Sequence, residues 1–126
     1  MSRVLKEDIP IFSQIKQKIE NMIIEGSLKP GEQIPSSTQM VKFYQVNHLT
    51  VLKAVNLLAD EGIIYKKRGI GMFVCSDART LLIEKRRKQL TARYIIPLLK
   101  EAETLGLNTK ELISMMNAVS LKEDSK

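Results

Sequence analysis

The chain has 126 residues, with 20 Lys and Arg against 14 Asp and Glu, and its formal net charge of +6 favours a polyanionic partner. At 44% hydrophobic and 27% charged residues it has the balance of a soluble globular protein with one core and at most an appendage, and no apolar run approaches membrane-spanning length. A single cysteine, Cys75, excludes an internal disulfide, and with no apolar signal segment at the N-terminus the expected compartment is the cytoplasm.

Met1–Asp8 is polar and charged and is expected to lie loosely over the surface. From Pro10, which suits a first helical turn because its missing N–H costs nothing there, the pattern turns helical. Ile15, Ile19, Met22 and Ile23 form an apolar stripe, opposite Lys16, Lys18, Glu20 and Glu25, and Gly26 stops the helix. Leu28-Lys29-Pro30-Gly31 reads as a turn and Gln33-Ile34 as a very short strand. Ser36 with Gln39 three residues on makes a capping box. It opens a second helix that runs to about Tyr44 and buries Met40, Val41 and either Phe43 or Tyr44.

Only Gln45-Val46 separates this helix from the next cap, Asn47, so the two helices must cross steeply, as in a helix-turn-helix. Val46 and Val51 sit at the two positions of a hydrophobic staple. Val51, Ala54, Val55, Leu57 and Leu58 then form the inner face of a third helix, leaving His48, Leu49, Lys53 and Asn56 outside. Gly62 ends it. Gly-Ile-Ile-Tyr re-enters as a short strand, followed by Lys66, Lys67 and Arg68, then Gly69 and Gly71, then Met72-Phe73-Val74, a hairpin with a cationic tip.

From Asp77 to Leu105 there is no glycine, and Ile83, Leu90, Tyr94, Leu98 and Leu105 recur on one stripe, predicting a long helix with a single seam. Pro97 removes a backbone donor and predicts a kink or break near Tyr94 to Leu98. Gly106 ends the helix. Asn108 and Glu111 form a second capping box, with Leu107 and Leu112 as its staple, opening a last helix through about Val119, and Lys122 to Lys126 should fray. No repeat or low-complexity segment is present.

Four blocks together resemble the winged helix-turn-helix domain of the GntR family of bacterial transcription regulators. They are Ile11-Phe12-Ser13-Gln14-Ile15, Gly26 to Ser36, Val46 to Ile64, and Arg68-Gly69-Ile70-Gly71-Met72-Phe73-Val74. The resemblance covers roughly the first 75 residues of the chain, and the short helical tail looks like that of the family's small YtrA-like branch. The expected fold is therefore mainly α with a small β-hairpin (α+β). A winged helix-turn-helix domain spans 1–75, and an all-helical dimerisation segment spans 76–126.

The resemblance implies a DNA-binding transcription regulator, more naturally a repressor than an activator, that acts as a homodimer on a two-fold symmetric operator. It leaves room for a small-molecule effector. The start of the third helix supplies Asn47, His48, Leu49, Thr50 and Lys53 for base and phosphate contacts in a major groove. Lys66, Lys67, Arg68 and Gly69 form a wing over the minor groove. Ser36 and Thr38, at the start of the second helix, complete the DNA-binding set. The chain departs from the family where many members have Arg, at Thr38, and where they have Ser-Arg, at Asn47-His48. Ile83, Leu90, Tyr94 and Leu98 form the dimerisation seam, since two amphipathic helices have too few internal partners to bury it.

Lys85-Arg86-Arg87-Lys88 wraps around its helix and reads first as a solvated face, with a flanking phosphate contact or a ligand carboxylate as the alternative. No spaced Cys/His set, phosphate-cradling glycine loop, nucleophile elbow or paired carboxylates occur, so neither a metal, a cofactor nor an enzymatic activity is expected. Two other readings stay open at this level: a winged-helix module that binds protein, and an RNA-binding protein.

Overall fold

The computed structural model describes residues 9–124; the expectation for Met1–Asp8 falls outside them, as does that for Ser125 and Lys126, while the last helix, expected to end near Val119 with fraying from Lys122, runs to Asp124. Helix α1 (Ile11–Glu25) starts at Pro10 and ends at Gly26. Helix α2 (Ser37–Tyr44) is opened by the Ser36/Gln39 capping box, in which Gln39 N donates to Ser36 Oγ at 3.1 Å and Ser36 N to Gln39 Oε1 at 2.8 Å. Helix α3 (His48–Asp60) starts at Asn47, whose Oδ1 accepts from Leu49 N at 2.7 Å, and stops where Gly62 takes a φ of 78°. Strands β1 (Ile64–Lys67) and β2 (Gly71–Val74) pair antiparallel, Ile64 opposite Val74 and Lys67 opposite Gly71. The short strand expected at Gln33-Ile34 is a single bridge, Gln33 to Phe73.

Helix α3 packs on α1, α2 and β1. The core between them holds Ile15, Ile19, Ile23, Val51, Val55 and Leu58, all 2% exposed or less. Each such side chain contributes roughly 1.5–3 kcal/mol of transfer free energy. Of the two aromatics considered for the α2 core, Tyr44 is half-buried against it and Phe43 is 69% exposed.

Two features differ from the sequence reading. Glu20, assigned by spacing to the outer face of α1, is only 6% exposed. Its Oε2 lies 3.1 Å from the ammonium groups of both Lys16 and Lys85. Glu61, just past α3, lies 3.0 Å from Lys16 and 3.5 Å from Lys85. Two acids and two bases thus close a ring that ties α1 and the end of α3 to the next helix, and a carboxylate so paired can be taken out of water. Burial pulls the Lys16 ammonium down, but Glu61 and Glu20 outweigh it and hold its pKa above the usual lysine value.

The second difference is the reach of the first core. Helix α4 (Ala78–Leu90) buries Ala78 and Leu82 among the residues named above, so the first compact unit runs past Cys75 to Lys85.

The second unit, Arg86–Lys126, holds the rest of α4, a π-helical turn (Thr91–Ile95), α5 (Ile96–Thr104) and α6 (Thr109–Asp124). The expected break falls as a π-helical widening one turn before Pro97. There the proline ring would otherwise press on the carbonyl four residues back, at Arg93. The Asn108/Glu111 box opens α6 through mutual bonds of 3.0 and 2.8 Å, with Leu112 buried behind it.

Candidate nucleic-acid interface

Capping decides what the start of α3 can offer. Asn47 Oδ1 accepts from the Leu49 N–H, with His48 and Leu49 exposed in the first turn and Thr50 half-buried beside them. Leu49 is 68% exposed, so its side chain is free to meet an apolar group such as a thymine methyl. Lys53, one turn on, holds its ammonium 4.1 Å from the centre of the Phe12 ring at the start of α1.

Leu49, Lys53 and Asn56 fall at i, i+4 and i+7, so they form one stripe along α3. Asn56 continues it into the hairpin, because its Oδ1 accepts a hydrogen bond from Lys66 Nζ on β1. The wing is thereby joined to the outer face of α3. Lys67 lies with its ammonium 4.8 Å from the Phe73 ring centre, and Phe73 stacks on Tyr65 at 5.8 Å. Arg68 and Gly69 form the exposed tip.

Ser36 and Thr38, at the start of α2, are exposed, with the Ser36 hydroxyl engaged in its capping bond. The structure connects Leu49, Lys53 and Lys66 through one stripe and one hydrogen bond. It places Ser36 and Thr38 on the helix packed against α3. Asn56 and Gln33 take part in this arrangement without having been singled out by sequence. For Asn56 the signal was its outward position on α3; for Gln33 it was its own place in the short Gln33-Ile34 strand.

The electrostatics of this face are one-sided. From Gln33 to Ala59, and again from Gly62 to Ser76, no Asp or Glu occurs. Between those stretches stand Asp60 and Glu61, at the opposite end of α3, and Glu61 is neutralised by Lys16 and Lys85. A polyanion approaching the first turn of α3 and the wing meets lysine, arginine, hydroxyl and amide groups. Among the described residues no three metal-ligating side chains come together, and no helix is long and apolar enough to cross a membrane.

The proposed seam residues stand differently. Ile83 is half-buried on α4, whereas Leu90, Tyr94 and Leu98 are 50%, 63% and 42% exposed. Ile113, Met116 and Val119 on α6 are at least half exposed as well.

Residues 12–74 match the family described as bacterial regulatory proteins, gntR family. The HTH-type transcriptional repressor YtrA of Bacillus subtilis (strain 168) is 29% identical over 115 residues, spanning 91% of this chain and 88% of that protein. A GntR family transcriptional regulator from Listeria monocytogenes has a TM-score of 0.78 at 28% identity, covering 90% of this chain and 98% of that one. The DNA-binding domain of AraR, solved in complex with operator ORX1, aligns with a TM-score of 0.53 at 29% identity, covering 60% of this chain and 92% of that domain.

Proposed function

The chain belongs to the gntR family of bacterial regulatory proteins, a family of regulators and not of enzymes, and from that membership we propose a sequence-specific transcriptional repressor acting in the cytoplasm. It binds duplex DNA through the α3 stripe and the wing. The observation that supports this most directly is that the Leu49–Lys53–Asn56 stripe runs into the Lys66 hydrogen bond, within two stretches, Gln33 to Ala59 and Gly62 to Ser76, that carry no Asp or Glu. His48, Leu49 and Thr50 meet base edges, Lys53 a base or phosphate, and Ser36, Thr38 and Asn47 the backbone. Lys66, Lys67, Arg68 and Gly69 follow the minor groove.

The protein acts as a homodimer on a two-fold symmetric operator. The second unit exposes Leu90, Tyr94, Leu98, Leu105 and Val119 and buries few apolar side chains, so a second copy is the natural cover for it. Two heads joined this way read half-sites one helical turn, or a multiple of it, apart. Repression follows from occupying a site that polymerase needs.

Selection of bound sequences from random duplex DNA tests the reading. A recovered motif with two inverted halves, and an affinity falling steeply with salt on the scale expected for about six to ten phosphate contacts, is the expected result. Preference for RNA over duplex DNA, or no enrichment at all, would sink it.

A further inference from the structure

Gln33 precedes the buried Ile34 and stands three residues before the Ser36 cap. Around it, Gly31 N donates to Val74 O at 2.8 Å, Val74 N to Glu32 O at 3.0 Å, and Ile34 N to Met72 O at 2.9 Å. The segment entering α2 therefore lies along β2 as a partial third strand, and its backbone ladder ends at Met72. The Gln33 side chain carries the pairing further. Its Nε2 donates to the Ile70 carbonyl at 3.1 Å, joining positions 37 apart in sequence at the wing tip.

The tip needs such a brace. Its turn is closed by Ile70 N donating to Lys67 O at 2.9 Å. The positive φ falls on Gly69, at 77°, and not on Arg68. Lys67 pairs with Gly71, so Arg68, Gly69 and Ile70 make a three-residue loop and not one of the two-residue turns whose own twist matches that of the strands. The turn alone does not fix where the tip points. Gly71 completes the device: at φ 147° a Cβ there would fall on the Gln33 amide nitrogen and lie 3.2 Å from its Cδ. Glycine leaves free the space that the amide occupies.

We propose that Gln33 is a positioning residue for the wing, its amide seated over Gly71 and bonded to the Ile70 carbonyl so that the tip is held in place before any nucleic acid arrives. The inference rests on the reading of this surface as a duplex-DNA binder. A tip ordered in advance avoids the entropic cost of being ordered on binding. Because the same short segment leads into the Ser36 cap, the brace also sets the wing against the start of α2. Gln33 acts through the tip and needs no contact with DNA of its own.

The test uses the full chain and a duplex recovered by selection with the unmodified protein. Gln33→Met, which fills the space over Gly71 without a donor, and Gln33→Ala should each lower affinity roughly three- to tenfold. Amide exchange at Ile70 should quicken in both while that of α3 stays unchanged. In an Arg68→Ala background the same replacements should lose most of their effect, because a tip without its cation gains little from being held. Unchanged affinity, unchanged Ile70 exchange, or a full and additive loss beside Arg68→Ala would each overturn the proposal, the last by assigning Gln33 an independent contact. If the unmodified chain selects no duplex, the DNA-binding reading fails, and the brace loses its purpose for that separate reason.

Discussion

Lys66 and Asn56 form a hydrogen bond across ten positions of sequence, joining the first strand of the hairpin to the outer stripe of α3. The link makes α3 and the wing parts of one surface. Asn56→Ala should leave the fold almost unaffected, since the bond is solvent-exposed, but should weaken binding to a selected duplex by roughly two- to fivefold. Anisotropy titrations beside thermal melts would check this. An affinity equal to that of the unmodified protein would mean that the wing is held without the bond.

Leu82 is 1% exposed, and its burial in the first core predicts a large effect for a residue that lies beyond the winged-helix motifs. Leu82→Ala should cost about 2–5 kcal/mol, whereas Leu81→Ala, at a position 39% exposed, should cost far less. For the same reason a chain cut after Cys75 should be poorly folded, while one cut after Lys85 keeps Ala78, Leu82 and the Glu20 ion pairs. Urea unfolding of the four proteins decides it. Equal stability of the two truncations would remove α4 from the core.

What could be read from sequence was mostly local. Ser36/Gln39 and Asn108/Glu111 are three residues apart, and Asn47 bonds a backbone group two residues away, so their helix starts follow from neighbouring residues alone. The α3 core face followed from spacing in the same way for Val51, Ala54, Val55 and Leu58, whereas Leu57, expected with them, is only half-buried. Glu20 was misplaced because its partner Lys85 is 65 residues distant, and no periodicity announces an ion pair between elements. Leu82 was passed over because the seven-residue spacing from Ile83 to Leu90 drew the stripe one position aside. The π-helical turn fell at Thr91–Ile95, slightly ahead of the expected break, because a proline acts on the carbonyl one turn before it. On the candidate surface the exposed lysines and the first turn of α3 were visible in sequence. The Gln33 bond to Ile70, spanning 37 positions, was not.

Stability should decline in alkali. Lys16 is pulled down by burial but raised on balance by Glu61 and Glu20, Tyr44 is raised by burial, and Cys75 is raised by burial and by Asp77. Each of these groups holds its proton more tightly folded than unfolded. Their contribution is therefore complete below the unfolded pKa values and is lost as pH rises through the folded ones, above about pH 9 to 10. Urea midpoints measured from pH 7 to 11 should fall over the upper part of that range, and Tyr44→Phe should soften the fall. A midpoint that holds steady or climbs would contradict all three assignments.

His48 stands exposed at the head of α3 and makes no contribution to the core. His48→Ala should relax preference by about 1–3 kcal/mol at one base pair per half-site and leave binding to unrelated duplex nearly intact. Repeating the selection with the variant gives the comparison directly. If the recovered motif is the same, bases are read by Leu49, Thr50 and Lys53 without it.

Leu90 lies in the second unit at 50% exposure, four residues before Tyr94 and eight before Leu98, which are also exposed. Were this face free in solution it would form an apolar patch far larger than isolated surface leucines produce, so it is expected to be covered by a second copy. Leu90→Asp forces an unpaired carboxylate into that contact, and neither partner can hydrate it without opening the interface. The variant should therefore sediment as a monomer with its winged domain still folded, since Leu90 takes no part in the first core. Half-site affinity should persist, while binding to a two-half operator should fall by about 10²- to 10⁴-fold as the gain from linking two heads disappears. Truncation after Lys85 should reproduce both effects. If the two proteins still sediment as dimers, the interface lies on the first unit, and the exposed face of the tail must be assigned another partner.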